Sequence, residues 1–153
     1  MDLDNRCDAQ LNWDYSFSTG SGQYKILLQA HFIGADLLVS ISGGTKPHIG
    51  AVSISQYHPS LLDQMRPSAT TSLLAIAPHK EGEILYKIGG ELARLYKTNV
   101  IVTGGIHIDH ASPQDIQTLV NNIDQAVIKL KHCLSSLLYE KSLVNDNMLD
   151  KEV

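Results

Sequence analysis

Apolar residues along this chain of 153 residues change their spacing once, dividing it into a strand-rich first half and a second half that contains helices. From Tyr24 to Phe32 and from Leu37 to Ser42, β-branched and apolar residues form two short runs. Between them lies Ile33-Gly34-Ala35-Asp36, the signature of a hairpin turn joining antiparallel strands. His48 to Tyr57 alternates, with Ile49, Ala51, Ser53 and Ser55 on one face and Val52 and Ile54 on the other, which predicts a third strand. Thr70 to Ala77 predicts a fourth.

The period then lengthens. Ile84, Ile88, Leu92 and Leu95 recur at helical spacing between Glu81 and Lys97, although Gly89-Gly90 weakens the middle by about 1 kcal/mol per glycine relative to alanine. Asn99 to Ile106 holds the wholly apolar run Val100-Ile101-Val102, suited to a strand inside the sheet and covered on both faces. Ser112-Pro113-Gln114-Asp115 opens the last element: a capping hydroxyl, a proline at the first helical position and a carboxylate at the positive end of the dipole. Ile116, Leu119, Ile123, Ala126, Leu130, Cys133 and Leu137 follow in steps of three and four, a seam for the sheet, another helix or a second subunit. The predicted fold is α+β, order β-β-β-β-α-β-α, with two helices on one face of a mainly antiparallel sheet of about five strands. One domain is expected over residues 13–141, with residues 1–12 and 142–153 as flexible ends.

Composition narrows the function classes. With 43% hydrophobic and 18% charged residues the chain has enough apolar material for a real core. A net charge of -4 and a pI near 5.9 argue against a nucleic-acid partner, because phosphate-backbone affinity comes from clustered Lys and Arg. No apolar run is long enough for a membrane span, and the start has no export signal, so a cytoplasmic protein is expected. The two cysteines, Cys7 and Cys133, make no short-spaced metal pair and are expected to be reduced.

Candidate chemistry sits at three polar turns. In Ser42-Gly43-Gly44-Thr45-Lys46-Pro47-His48-Ile49-Gly50 the glycines permit a tight bend and Lys46 adds a cation. It is neither a Walker loop nor a dinucleotide fingerprint. Pro78-His79-Lys80-Glu81-Gly82 places His79 and Lys80 at a helix start, where backbone N–H groups and the dipole favour an anion. In Thr103-Gly104-Gly105-Ile106-His107-Ile108-Asp109-His110, alternation puts His107 and Asp109 on one side and turns His110 away. Each turn taken alone also reads as solvated surface; the signal is their convergence on one sheet. His107, Asp109 and His110 are in addition a candidate divalent-metal set, although a full His-x-His-x-Asp-His motif would need histidine where Gly105 stands. His31, His58 and His132 read as structural or solvated.

Three stretches, Thr45-Lys46-Pro47-His48-Ile49-Gly50-Ala51-Val52, Pro78-His79-Lys80 and Gly104-Gly105-Ile106-His107-Ile108-Asp109, occur in an order that carries a resemblance. Together they resemble the small LpdD-type accessory proteins of gallate and related hydroxyarylic acid decarboxylases, over about Tyr24 to Leu138. The resemblance implies a prenylated-flavin chaperone, which holds prenylated FMN made by a flavin prenyltransferase and helps mature it or deliver it to a UbiD-type decarboxylase. It also implies a fold similar to the small α+β proteasome assembly chaperones, which associate as dimers, and hence a homodimer. Where members of that family carry Asn after the Asp, this sequence has His110. On this reading Gly43, Gly44, Lys46, His48, His79, Lys80, His107 and Asp109 bind the cofactor, its phosphate at the His79-Lys80 turn or the glycine loop. With two Phe, one Trp and six Tyr, the flavin ring is expected to rest on aliphatic side chains or across a subunit boundary. The competing readings are a small metal-dependent enzyme acting on an aromatic acid or a phosphate ester through the His/Asp cluster, and a pure interaction module. No nucleophile motif such as Gly-x-Ser-x-Gly is present.

Overall fold

A computed structural model describes residues 14–77 and 81–149, with side chains in the last helix described as far as Leu137. The strands are β1 (Tyr15–Thr19), β2 (Ile26–Ile33), β3 (Asp36–Gly44), β4 (Ala51–Pro59), β5 (Pro67–Ala75) and β6 (Val100–His107), and the helices are α1 (Gly82–Tyr96) and α2 (Pro113–Leu149). The six strands form one sheet in the order β1-β2-β3-β6-β4-β5. The α+β class and the order from β2 onward match the expectation. One strand was missing from it: β1, whose five residues Tyr-Ser-Phe-Ser-Thr pair antiparallel with β2 from Tyr15↔Ala30 to Thr19↔Ile26.

Alternation decides which face is inside. Ile26, Leu28 and Ala30 of β2, Leu37, Val39 and Ile41 of β3, and Val100 and Val102 of β6 are buried. The register Ala30↔Val39 and Val39↔Val102 lines them up on one side. Leu85, Ile88 and Leu92 of α1 and Leu119, Ile123, Ala126 and Leu130 of α2 cover that side and join the same core cluster. The predicted hairpin is present, with Gly34 in the left-handed conformation and Ile33 opposite Asp36. β6 does lie inside the sheet, but it is covered on one face only. Ile101 lines an open groove on the far side, because both helices pack against the other face.

On β4 the buried positions are Ala51, Ser53 and Ser55, whereas Ile54 is half exposed. Small polar residues are inside because α1 comes unusually close there. A Cβ added to Gly89 would stand 2.7 Å from Ser55 Oγ and 3.0 Å from Ser53 Oγ. The glycine that lowers helix propensity therefore sets the helix-to-sheet distance. Each buried hydroxyl is bonded: Ser53 Oγ donates to Leu85 O at 3.0 Å, and Ser55 Oγ pairs with Thr71 Oγ1 at 2.8 Å.

The last helix begins as its sequence predicts. Asp115 N donates to Ser112 Oγ, and Ser112 N donates back to Asp115 Oδ2 at 2.7 Å, a reciprocal cap. Tyr24 O–H adds a 2.6 Å bond to Asp115 Oδ1. Ser112→Ala is expected to cost about 1 kcal/mol, seen as a lower midpoint in chemical denaturation at unchanged slope.

Candidate functional site

β3 and β6 are parallel neighbours, and β4 runs antiparallel to β6. The carboxyl ends of β3 and β6 and the start of β4 thus meet at one end of the sheet. β5 finishes there too, with Ala75 opposite Ala51, so both helices also begin at this end. It is where an open sheet most often presents a ligand site.

The backbone there is tightly constrained. Gly44 has φ 75° and lies opposite His107, whose carbonyl oxygen would be 2.2 Å from an added Cβ. The same carbonyl accepts from Thr45 N at 2.8 Å and Lys46 N at 3.3 Å, and Gly50 N donates to Gly104 O at 3.0 Å. Residues 45–50 therefore fold over the end of β6, and the first amides after the glycine pair are used by the strand beneath them. Gly105 provides the floor: a Cβ on it would sit 2.7 Å from Cδ2 and Nε2 of His48.

The side chains gather in a continuous row. Lys46 Nζ lies 2.5 Å from Asp109 Oδ2, and His107 Nε2 lies 3.0 Å from Asp109 Oδ1. The His48 and His107 rings meet edge to face, 6.2 Å between centres, and His48 Nε2 is 3.6 Å from Glu81 Oε1. The row runs from solvent inward, since the Lys46 side chain is 63% exposed and that of Glu81 only 16%. Two exposed aliphatic residues lie at the same end of the sheet, Ile49 in the fold-over and Ile76 just past β5, where Ile76 N donates to Gly50 O at 2.8 Å.

The sequence-predicted residues Lys46, His48, His107 and Asp109 are thus brought together, with Gly43 and Gly44 at the turn behind them. His79 and Lys80 lie outside the described residues. Glu81 was overlooked as a site residue because a carboxylate just ahead of a helix reads as an ordinary favourable dipole contact. Its separation from His48 by 33 positions left no local signal.

The metal expectation is corrected. Among the described residues no group of three or more His, Cys, Asp or Glu side chains is placed to hold a metal ion. Both oxygens of Asp109 are engaged, one by the Lys46 ammonium, which stands where a bound cation would compete. His110 has φ 55°, left-handed backbone in the turn before α2, and makes no metal-holding group with His107 and Asp109. Among the other histidines, His31 pairs with Asp14 at 3.2 Å and His58 bonds Thr70 Oγ1 at 2.9 Å, both away from the row.

Hydrogen bonds from Lys46 first and His107 second hold the Asp109 carboxyl below its ordinary value. A depressed carboxylate favours the native arrangement above the unfolded pKa of about 3.9, and that contribution disappears as pH falls through the lower folded value. Lys46→Ala is expected to move the Asp109 titration upward, followed by carbon-detected NMR of its carboxyl.

Among the described residues no helix is long and apolar enough to cross a membrane. The search of curated proteins found no match. A family model described as the prenylated flavin chaperone LpdD-like domain matches residues 20–135, a span that contains every element from β2 to the middle of α2 and the whole polar row. The chain belongs to the LpdD-like prenylated flavin chaperone domain family.

Proposed function

We propose that this protein holds prenylated FMN at the carboxyl end of β3 and β6 and passes it to a UbiD-type hydroxyarylic acid decarboxylase, after receiving it from a flavin prenyltransferase. The observation that supports this reading is the row Lys46–Asp109–His107–His48–Glu81 beside exposed Ile49 and Ile76, in a chain of this family. The donor set suits the group. Lys46 offers an ammonium to a phosphate, and the imidazoles and the carboxylate offer donors and acceptors to a polar ring edge. Ile49 and Ile76 offer an aliphatic wall, as expected of a chain poor in aromatics.

The chain's own residues bind and orient rather than react. His107 is positioned by Asp109, and His48 by its Nδ1 contact to Lys46 O at 3.0 Å and by the floor at Gly105. The prenylated flavin would supply the decarboxylation chemistry in the client enzyme. An exposed row at a sheet end, rather than a closed cavity, fits a protein that must release what it binds. We place the protein in the cytoplasm, acting as a homodimer.

Co-expression with a flavin prenyltransferase tests the reading. Purified protein is expected to carry stoichiometric prenylated flavin, visible by absorbance, and to restore activity to cofactor-free decarboxylase on mixing. Protein that emerges from gel filtration without flavin, after co-expression and again after direct mixing, contradicts it.

A further inference from the structure

At the end of the sheet opposite the polar row, β4 and β5 continue beyond their neighbours. Their ladder runs from Ala51↔Ala75 to Pro59↔Pro67, whereas β6 pairs with β4 only as far as Ser55↔Val100. Four rungs, Gln56↔Thr70 to Pro59↔Pro67, therefore extend past β6 as a two-stranded arm, its base held by Ala69, which packs against the core. Its tip carries Leu61, Leu62 and Met65, which are 96%, 99% and 91% exposed. A tip of three bare large apolar residues is uncommon on a soluble surface and marks a contact site.

The tip is also built to hold its shape. Ser60 N donates to Arg66 O at 2.8 Å and Arg66 N to Asp63 O at 2.9 Å, while Met65 N bonds Asp63 Oδ1 and Leu62 N bonds Ser60 Oγ. Such local side-chain turns fix the loop before any partner arrives, which lowers the ordering cost of binding.

Beside the base of the arm, on the sheet face that no helix covers, lies a groove of about 530 Å³. Ile33, Leu38, Ile54 and Ile101 supply its apolar wall and Asp36 its charge. Thr70 and Gln56 of the arm's base form one rim, and the tip begins three residues further along, roughly 10 Å away at strand spacing. A paired ladder holds the tip off its own groove. Finger and groove nevertheless match in character: three apolar side chains with Arg66 beside them, against four apolar side chains with Asp36 beside them.

We propose that two copies of this chain exchange arms, Leu61, Leu62 and Met65 of each filling the other's groove, with Arg66 facing the other copy's Asp36. Two-fold symmetry makes the contact twice and leaves neither finger nor groove uncovered, as a closed isologous interface requires. The paired charges fix the register, and the apolar fill supplies the affinity. The polar rows lie at the far ends of both sheets and stay open. The interface is independent of what binds there, and its test contains no flavin.

Light scattering of the full chain at about 50 µM is expected to give twice the chain mass of 16.8 kDa. The double variant Leu61→Asp, Leu62→Asp and, separately, Ile54→Asp are each expected to weaken dimerisation at least about a hundredfold with unchanged circular dichroism. Geometry is tested in a Cys7→Ser, Cys133→Ser background by mixing a Leu62→Cys chain with an Ile54→Cys chain. A disulfide between the two unlike chains is expected, in preference to either like pair. A monomeric wild-type chain, a dimer that tolerates the tip variants, or tip-to-tip disulfides in place of the mixed one would overturn the proposal. So would a tip that binds only the decarboxylase.

Discussion

Gly104→Ala is expected to lower the melting temperature by roughly 10 °C or more, a loss on the order of 4 kcal/mol. Gly104 has φ 155°, which side-chain-bearing residues rarely adopt, and its missing Cβ would lie 1.7 Å from the carbonyl oxygen of Ile41. That oxygen belongs to a backbone locked in the parallel ladder, where Ile41 faces Gly104, so it cannot move aside as a flexible side-chain tip could. The residue also accepts from Gly50 N and starts the fold-over that brings Lys46 and His48 to the site. Stability and site are therefore lost together. Gly34→Ala is the control: φ is again positive, at 62°, but nothing lies within 4 Å of the added carbon, and a loss of about 1 kcal/mol is expected. Equal melting temperatures for the two variants would contradict the packing argument.

The second large effect is on binding. Lys46→Ala and His107→Ala are each expected to weaken prenylated FMN uptake tenfold to a hundredfold, the effect of losing a charge-assisted bond of about 1.5–3 kcal/mol. The Lys46 side chain is 63% exposed and that of His107 42%, so the variants should melt close to wild type. His58→Ala, whose ring bonds Pro59 O and Thr70 on the far arm, should bind normally. Uptake measured by flavin fluorescence separates the cases; unchanged affinity in both site variants would remove the row from the account.

How much of this was legible in the sequence depended on whether the signal was local. The hairpin at Ile33-Gly34-Ala35-Asp36, the capped start of α2 and the apolar run of β6 each carry their cause within a few residues, and each was readable. β1 was not, because Tyr15–Thr19 mixes aromatic and hydroxyl residues after a polar leader and gains its place only by pairing with β2. Gly89 looked like a flaw in a helix until Ser53 and Ser55 lay beneath it. The row at the site shows the same division. Alternation alone put His107 beside Asp109, but the contacts of Lys46 with Asp109 and His48 with Glu81 need β6 to slot between β3 and β4, a long-range event with no local pattern. The metal reading failed for the same reason, since spacing could not show that Lys46 would take one Asp109 oxygen.

The most direct test of where the flavin sits is NMR of the histidine rings and isoleucine methyl groups as reduced prenylated FMN is added. Shifts are expected at His48 and His107 and at the methyls of Ile49 and Ile76, with His58 and Ile101 unmoved. Shifts concentrated instead around the cleft lined by Tyr15, Phe32, Tyr96 and Leu134, with His48 and His107 unchanged, would contradict the assignment of the site.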